Sequence, residues 1–312
     1  MLRRGARCTP PPWGRDVVKP EAASIHVQRE RRFAHALSLP YLVFLMVLIG
    51  YPVVSNVVQS LLGPGGLTGA NYERVVAGGE LARLSLNTLI WTAGSVVGQL
   101  IVGLSLALLL NQPARGAGLW RALILVLPWA TPDIVAAVAW KWMLNDMYGV
   151  MNDILVRLGV LDWYVPWLGE PKLARISVIV ANIWKGFALS AMFYLAGLKT
   201  IPVELYEAAA VDGAGVLGRF RHVTLPALKP FLGTTLMLTT IWTINYFPLI
   251  YTMTGGGPAG ATDTYVTYAY RLAFRFTDFA RSSALSTLTF LIIFALALAY
   301  STVLLRRGEE EA

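Results

Sequence analysis

Cysteine is almost absent: Cys8 is the only one in 312 residues. A single thiol rules out an internal disulfide and any cysteine metal cluster, and this one reads as incidental to a polar N-terminal stretch. Histidine is scarce as well. His26, His35 and His222 stand apart among basic flanks, without metal-ligand spacing. No GxxxxGK[ST] loop occurs, so the chain cannot cradle ATP by the usual phosphate-loop means. A catalytic Ser or Cys constellation is missing too, and neither an enzyme nor a cofactor of its own is expected. Charge is the last shortage. Only 14% of residues are charged against 56% hydrophobic, with a mean hydropathy of +0.57. A soluble domain of this length needs more charge on its surface.

The apolar residues fall into long runs, each near the length a helix needs to cross a bilayer. Spans are expected at about 36–62, 84–110, 122–143, 176–198, 231–253 and 284–305. Backbone groups in lipid must bond within their own segment, so helices are the economical choice, and the alternating strands of a barrel are missing. The expected fold is therefore an all-α integral membrane bundle of six transmembrane helices. A basic tail (1–35) precedes it, a membrane domain occupies 36–305, and a short tail (306–312) follows.

The net charge of +8 could point to nucleic acid, but its placement argues for a membrane. Arg3, Arg4, Arg7, Arg15, Lys19, Arg29, Arg31 and Arg32 stand directly ahead of the first apolar run. Such a flank stays in the cytoplasm. A cleaved signal peptide is not expected, because that run is too long and no small-residue site follows it. Both termini are then cytoplasmic, as is the polar connection 199–229 between the fourth and fifth runs, with Lys199, Arg219, Arg221 and Lys229.

That connection carries the most informative residues. Pro202 suits a helix start. Glu204 and Glu207 sit near its positive end, Ala208, Ala209 and Ala210 favour helix, and Gly213 can take the left-handed conformation that ends one. Pro226 is expected to stop the following segment before the fifth span. Two short surface helices and a sharp turn result, small enough at Ala208, Ala209 and Gly213 for another backbone to approach.

Glu207-Ala208-Ala209, Gly213, then Val223, Leu225 and Pro226 match the spacing EAA-x3-G-x9-I-x-LP, with Val where Ile is usual. The chain thereby resembles the permease subunits of binding-protein-dependent ABC importers, in particular the carbohydrate-uptake group of the maltose and glycerol-phosphate type. Leu39-Pro-Tyr41, Tyr51-Pro52, Asn71-Tyr72, Trp140-Lys-Trp-Met143, Gly149-Val-Met-Asn152, Asn182-Ile-Trp184-Lys185-Gly186 and Thr254-Gly-Gly-Gly-Pro258 extend the likeness from about 36 to 305. The resemblance implies a type I permease fold in a bacterial or archaeal plasma membrane. It implies four partners: a second, similar permease, two copies of a cytoplasmic ATPase that hold ATP and Mg, an extracellular solute-binding protein, and a carbohydrate of two or more units. Glu204, Glu207, Ala208, Ala209, Asp212, Gly213, Leu225 and Pro226 would then couple to the ATPase.

Charges inside a span cost at least about 2.5–3.5 kcal/mol at the bilayer centre, so Asp133 and Lys185 need a cavity or each other. Asp133 is not a usual element of the family. Either an ion pair or a ligand contact accounts for both; Lys185 could also snorkel. Trp242, Asn245 and Tyr246 put hydrogen-bonding groups beside flat rings, the combination a sugar needs, while Asn245 bonding a neighbouring helix is the plainer alternative. Trp129, Trp140, Trp142, Trp163 and Trp167 are expected at the membrane interface, and Pro128 and Pro132 to kink the third span. The rival functions are a permease for glycerol phosphate or polyamine, and a self-contained secondary transporter, which should show inverted repeats or interrupted helices in paired positions.

Overall fold

The computed structural model describes Phe33, residues 35–112 and residues 117–310, with backbone alone at 117 and from 303 onward. The basic tail ahead of Phe33, with Cys8, and the last two residues lie outside the described residues, as does Arg115. The chain divides into two units at the boundary between Ser55 and Asn56. In the first, helix α1 (His35–Ser60, entering the second unit at its end) contains a π-helical turn, Met46–Gly50. None of its residues up to Ser55 is buried, and Leu42, Phe44 and Leu48 are all exposed.

In the second unit, a two-residue hairpin (β1 Leu62–Gly63, β2 Gly66–Leu67) interrupts the all-helical expectation at a Gly-Pro-Gly-Gly turn. Then follow α2 (Ala70–Ala77), α3 (Glu80–Leu110), α4 (Ala117–Ala130), α5 (Asp133–Met143), α6 (Val150–Arg157) and α7 (Pro171–Lys199). The coupling segment forms α8 (Val203–Val211) and α9 (Val216–Arg219); a π-turn, Phe220–Thr224, leads into α10 (Leu225–Ile244). The chain continues through α11 (Pro248–Thr254), α12 (Tyr265–Phe274) and α13 (Phe279–Glu310).

Among the described residues, four helices (α1, α3, α7 and α13) are long and apolar enough to cross a membrane, or five if α4 and α5 count as one span. That pair bends by 95° between Ala130 and Asp133. Pro128 and Pro132 each remove a backbone donor there, so the expected kink is a full break. The expected fifth span is interrupted as well: α10 ends at Ile244 and α11 starts at Pro248. Five threonines between Thr234 and Thr243 dilute α10. The sixth span and its tail are one helix through Glu310.

Helix α3 is the axis of this unit. Its buried residues recur every three or four positions, the period of one helix face. One end packs with Leu272 and Leu285, the middle with Val178 and Leu249, the other end with Tyr194 and Leu228. Helices α3 and α7 form the most extensive pair. Gly103 makes their approach possible, since a Cβ there would press on Ser190 and the backbone of Ala191.

Candidate functional site: a polar cavity at two helix breaks

A cavity of about 240 Å³ opens between α3, α4, α7 and α10. Gln99, Asn182, Asp133, Lys185 and Tyr246 supply its polar wall; Trp129 and Trp242 supply aromatic faces. Thr239 and Thr243 continue the wall along α10.

The two charges expected to need explanation meet here. Lys185 Nζ lies 3.4 Å from Asp133 Oδ1. It also donates to the carbonyls of Pro128 and Trp129, each at 3.1 Å, and to Thr131 O. Lys185 therefore does not snorkel. Tyr246 donates its hydroxyl to Asp133 Oδ1 at 2.7 Å. Both contacts fall on Oδ1.

Asn245 is placed elsewhere. Helix α10 ends at Ile244, and the exposed Asn245 amide donates back to Ile241 O at 3.2 Å. It lines a separate groove formed by α12 and α13. Of the five expected solute residues, Asp133, Lys185, Trp242 and Tyr246 come together and Asn245 stands apart.

Gln99 escapes the sequence reading because a lone amide in a long apolar run resembles helix-packing glue, and Asn182 figures there only within a family likeness. Gln99 Nε2 donates to Asn182 O at 3.1 Å. Its side chain lies where a Cβ on Gly186 would stand, so Gly186 makes room for it. Among the tryptophans, Trp129, Trp142 and Trp163 are all exposed. Trp129 also lines the cavity, Trp140 packs edge-on against Trp184 at 6.1 Å, and Trp167 donates to Asn152 Oδ1 at 2.8 Å. Among the described residues, no group of three His, Cys, Asp or Glu could hold a metal ion.

The coupling segment forms the two short helices expected. Pro202 occupies the N-cap of α8, one position earlier than the first turn. Gly213 takes φ 81°. Ala214 N donates to Ala209 O and Gly213 N to Ala210 O, the two hydrogen bonds of a Schellman turn. Glu204, Glu207, Ala208, Asp212 and Gly213 are exposed, Ala209 partly so, and α8 buries no residue. At the turn, Val211, Val216 and Leu217 are 88%, 79% and 78% exposed.

Pro226 does not stop the segment. The π-turn donates Leu225 N to Phe220 O, five residues back, which shifts the bonding register just where Pro226 offers no donor. The helix therefore continues into α10, with Leu225 and Pro226 in its first turn. Tyr206 and Thr224 share a hydroxyl bond at 3.0 Å, tying α8 to this turn.

A second polar cluster holds the loop 255–264. Arg83 and Asn87 each donate to Gly260 O at 2.9 Å, and Arg175 donates to Ala261 O at 2.8 Å. Asp263, with no exposed side-chain surface, pairs with Arg271 and lies 3.8 Å from Arg83. Burial pushes its carboxyl above the ordinary value, against the pull of both arginines.

Residues 99–307 match the model of a family described as binding-protein-dependent transport system inner membrane component. The chain is 38% identical over 282 residues to the trehalose/maltose transport system permease protein MalF of Thermococcus litoralis, covering 88% of this chain and 94% of the relative. It is 36% identical to the sulfoquinovosyl glycerol transport system permease protein SmoG of Agrobacterium fabrum, over 89% of this chain and 90% of that one. Its backbone resembles a chain of a bacterial ABC transporter that imports the acidic polysaccharide alginate. That likeness has TM-score 0.76 at 21% identity, covers 91% of this chain and 99% of the other, and speaks to fold alone.

Proposed function

The chain belongs to the binding-protein-dependent transport system inner membrane component family, and from that premise we propose that it forms half of an ATP-driven import path for a neutral carbohydrate of two or more units. The subunit is a non-catalytic, multi-pass membrane permease with the type I fold. We take the solute from the cavity and from what the relatives are named for.

The observation that carries the reading is the composition of the cavity wall. Two indole faces can stack on sugar C–H faces, while two carboxamides, a carboxylate and a phenol serve hydroxyls. Lys185 is the only cation among the lining residues, and it is committed to Asp133 and three carbonyls. A phosphate would want clustered arginine, and a polyamine would want more carboxylate, so both rival solutes fit less well. Two interrupted spans were the mark expected of a secondary transporter; family membership decides against that class.

Force would enter at α8. In this reading both termini and residues 199–229 face the cytoplasm, the membrane domain spans 36–305, and a second permease, two ATPases holding ATP and Mg, and an external binding protein complete the assembly. Glu207 and the bare turn at Val211–Leu217 offer the ATPase a charged contact and an apolar one. Motion of α8 passes through Tyr206 and the π-turn into α10, about 30 Å of continuous helix. Helix α10 carries Thr239, Trp242 and Thr243 of the cavity wall, so movement of the lever reshapes the place where the sugar rests.

The test reconstitutes the permease with its co-encoded partners and measures uptake of radiolabelled trehalose and maltose. Trp242→Ala should raise KM about tenfold, equivalent to about 1.4 kcal/mol of lost binding, and Asn245→Ala should leave it unchanged. Transport of glycerol phosphate or spermidine, with no neutral di- or oligosaccharide carried, would overturn the reading.

A further inference from the structure

The break between α4 and α5 leaves carbonyls at the end of α4 without their usual backbone donors, because Pro132 has no N–H and α5 turns away. In hydrocarbon such groups must find partners inside the protein. One ammonium supplies them: Lys185 Nζ reaches the carbonyls of Pro128, Trp129 and Thr131. The end it caps is the negative pole of α4. Asp133, the ammonium's counter-ion, occupies the first turn of α5, the positive pole of the next half-helix. Each charge thus faces the helix end that favours it.

The same carboxylate accepts from Tyr246. Tyr246 belongs to the short non-helical stretch between α10 and α11, which is the second break of the bundle. Helix α11 packs on α5. Two interruptions in separate spans are therefore joined at one point on the cavity wall, through Lys185, Asp133 and Tyr246.

We propose that Lys185 is a positioning residue of the translocation path, replacing the missing backbone donors at the first break and, through Asp133 and Tyr246, locking the two breaks into one moving wall. This differs from a simple buried ion pair. An ion pair needs only opposite charges, whereas a clamp needs a multiple donor at 185 and a carboxylate at the start of α5. The inference does not rest on the identity of the solute.

The experiment uses the full chain assembled with its partner subunits in lipid nanodiscs, without added solute. Cys8→Ser removes the native thiol, and nitroxide labels at Leu123→Cys on α4 and Val138→Cys on α5 occupy exposed positions. Pulsed EPR then gives the distance distribution across the break. The parent should show one narrow distribution. Lys185→Met should broaden it about twofold as unsatisfied carbonyls seek other partners, and Lys185→Arg, which keeps several donors, should restore it. The exchange Asp133→Lys with Lys185→Asp should remain broad, because it restores opposite charges but leaves the carbonyls unserved and puts an ammonium at a positive helix end. Tyr246→Phe should leave that distribution narrow and broaden one measured between Val138→Cys and Thr252→Cys on α11. A narrow distribution in Lys185→Met, or rescue by the charge exchange, overturns the clamp. If Lys185→Met fails to assemble, Lys185→Gln decides instead: its neutral amide keeps two donors, so the clamp gives a narrow distribution, and a broad one overturns it. An unchanged α5–α11 distribution in Tyr246→Phe overturns the locking of the two breaks.

Discussion

Two glycine-containing connections in this molecule have opposite characters. The loop 255–264 is braced from three helices: Arg83 and Asn87 from α3, Arg175 from α7 and Arg271 from α12 bind its carbonyls or its buried Asp263. The connection 201–224 exposes Glu204, Glu207 and Asp212, and its α8 buries nothing. The first connection completes itself. The second has exposed apolar residues at its turn and no core of its own, which supports the proposed docking of another protein there.

That contrast can be broken at either end. The largest effect should come from Asp263→Ala, which strands Arg271 without its partner in a buried site. A loss of about 3–5 kcal/mol is expected for removing one member of a buried pair, seen as a lower melting temperature of the solubilised subunit. A shift no larger than that of a surface change would mean the bracing is superficial.

Gly213→Val comes next. Its φ of 81° is costly for a β-branched residue, and about 1–2 kcal/mol of strain should open the Schellman turn. Co-purification of the ATPase should fall while melting of the membrane core changes little. Glu207→Lys, or Val211→Ser with Leu217→Ser, should alter stability by no more than about 0.5 kcal/mol, because their side chains are exposed. Uptake and ATPase co-purification should nevertheless drop, and unchanged assembly would sink the reading of this face as the docking surface. Smallest of all is Pro226→Ala. It sits in the first turn of α10 without interrupting it, so uptake and melting should stay close to the parent.

Much of this was legible in the residues. Charge is expensive in an apolar run, and that cost alone pointed to Asp133 and Lys185 and to a pairing between them. The helix ends of the coupling segment followed from Pro202, the alanines and Gly213. What remained hidden depended on where helices stop. In an unbroken fifth span, Trp242, Asn245 and Tyr246 would share one face at i, i+3 and i+4. Unwinding after Ile244 removes Asn245 from that face, and only Pro248 hints at it. Pro128 and Pro132 announced a kink, but a 95° turn depends on Lys185 reaching across from another helix to satisfy the exposed carbonyls. Gln99 was unreadable because its role rests on Gly186, which lies 87 positions away in sequence and against it in space.

The wide turn at Phe220–Thr224 has a consequence for evolution as much as for mechanics. It holds one residue more than an ordinary helical turn, and each residue advances a helix by about 100°. Because the wide turn absorbs that residue within one rotation, losing it would leave the rest of α10 in phase, whereas tightening the turn to α-helix with every residue kept would spin α10 by about this angle and carry Trp242 and Thr243 off the cavity wall. A single-codon deletion in the turn should therefore leave specificity near the parent's, and comparing the sugars taken up by the two would reveal it.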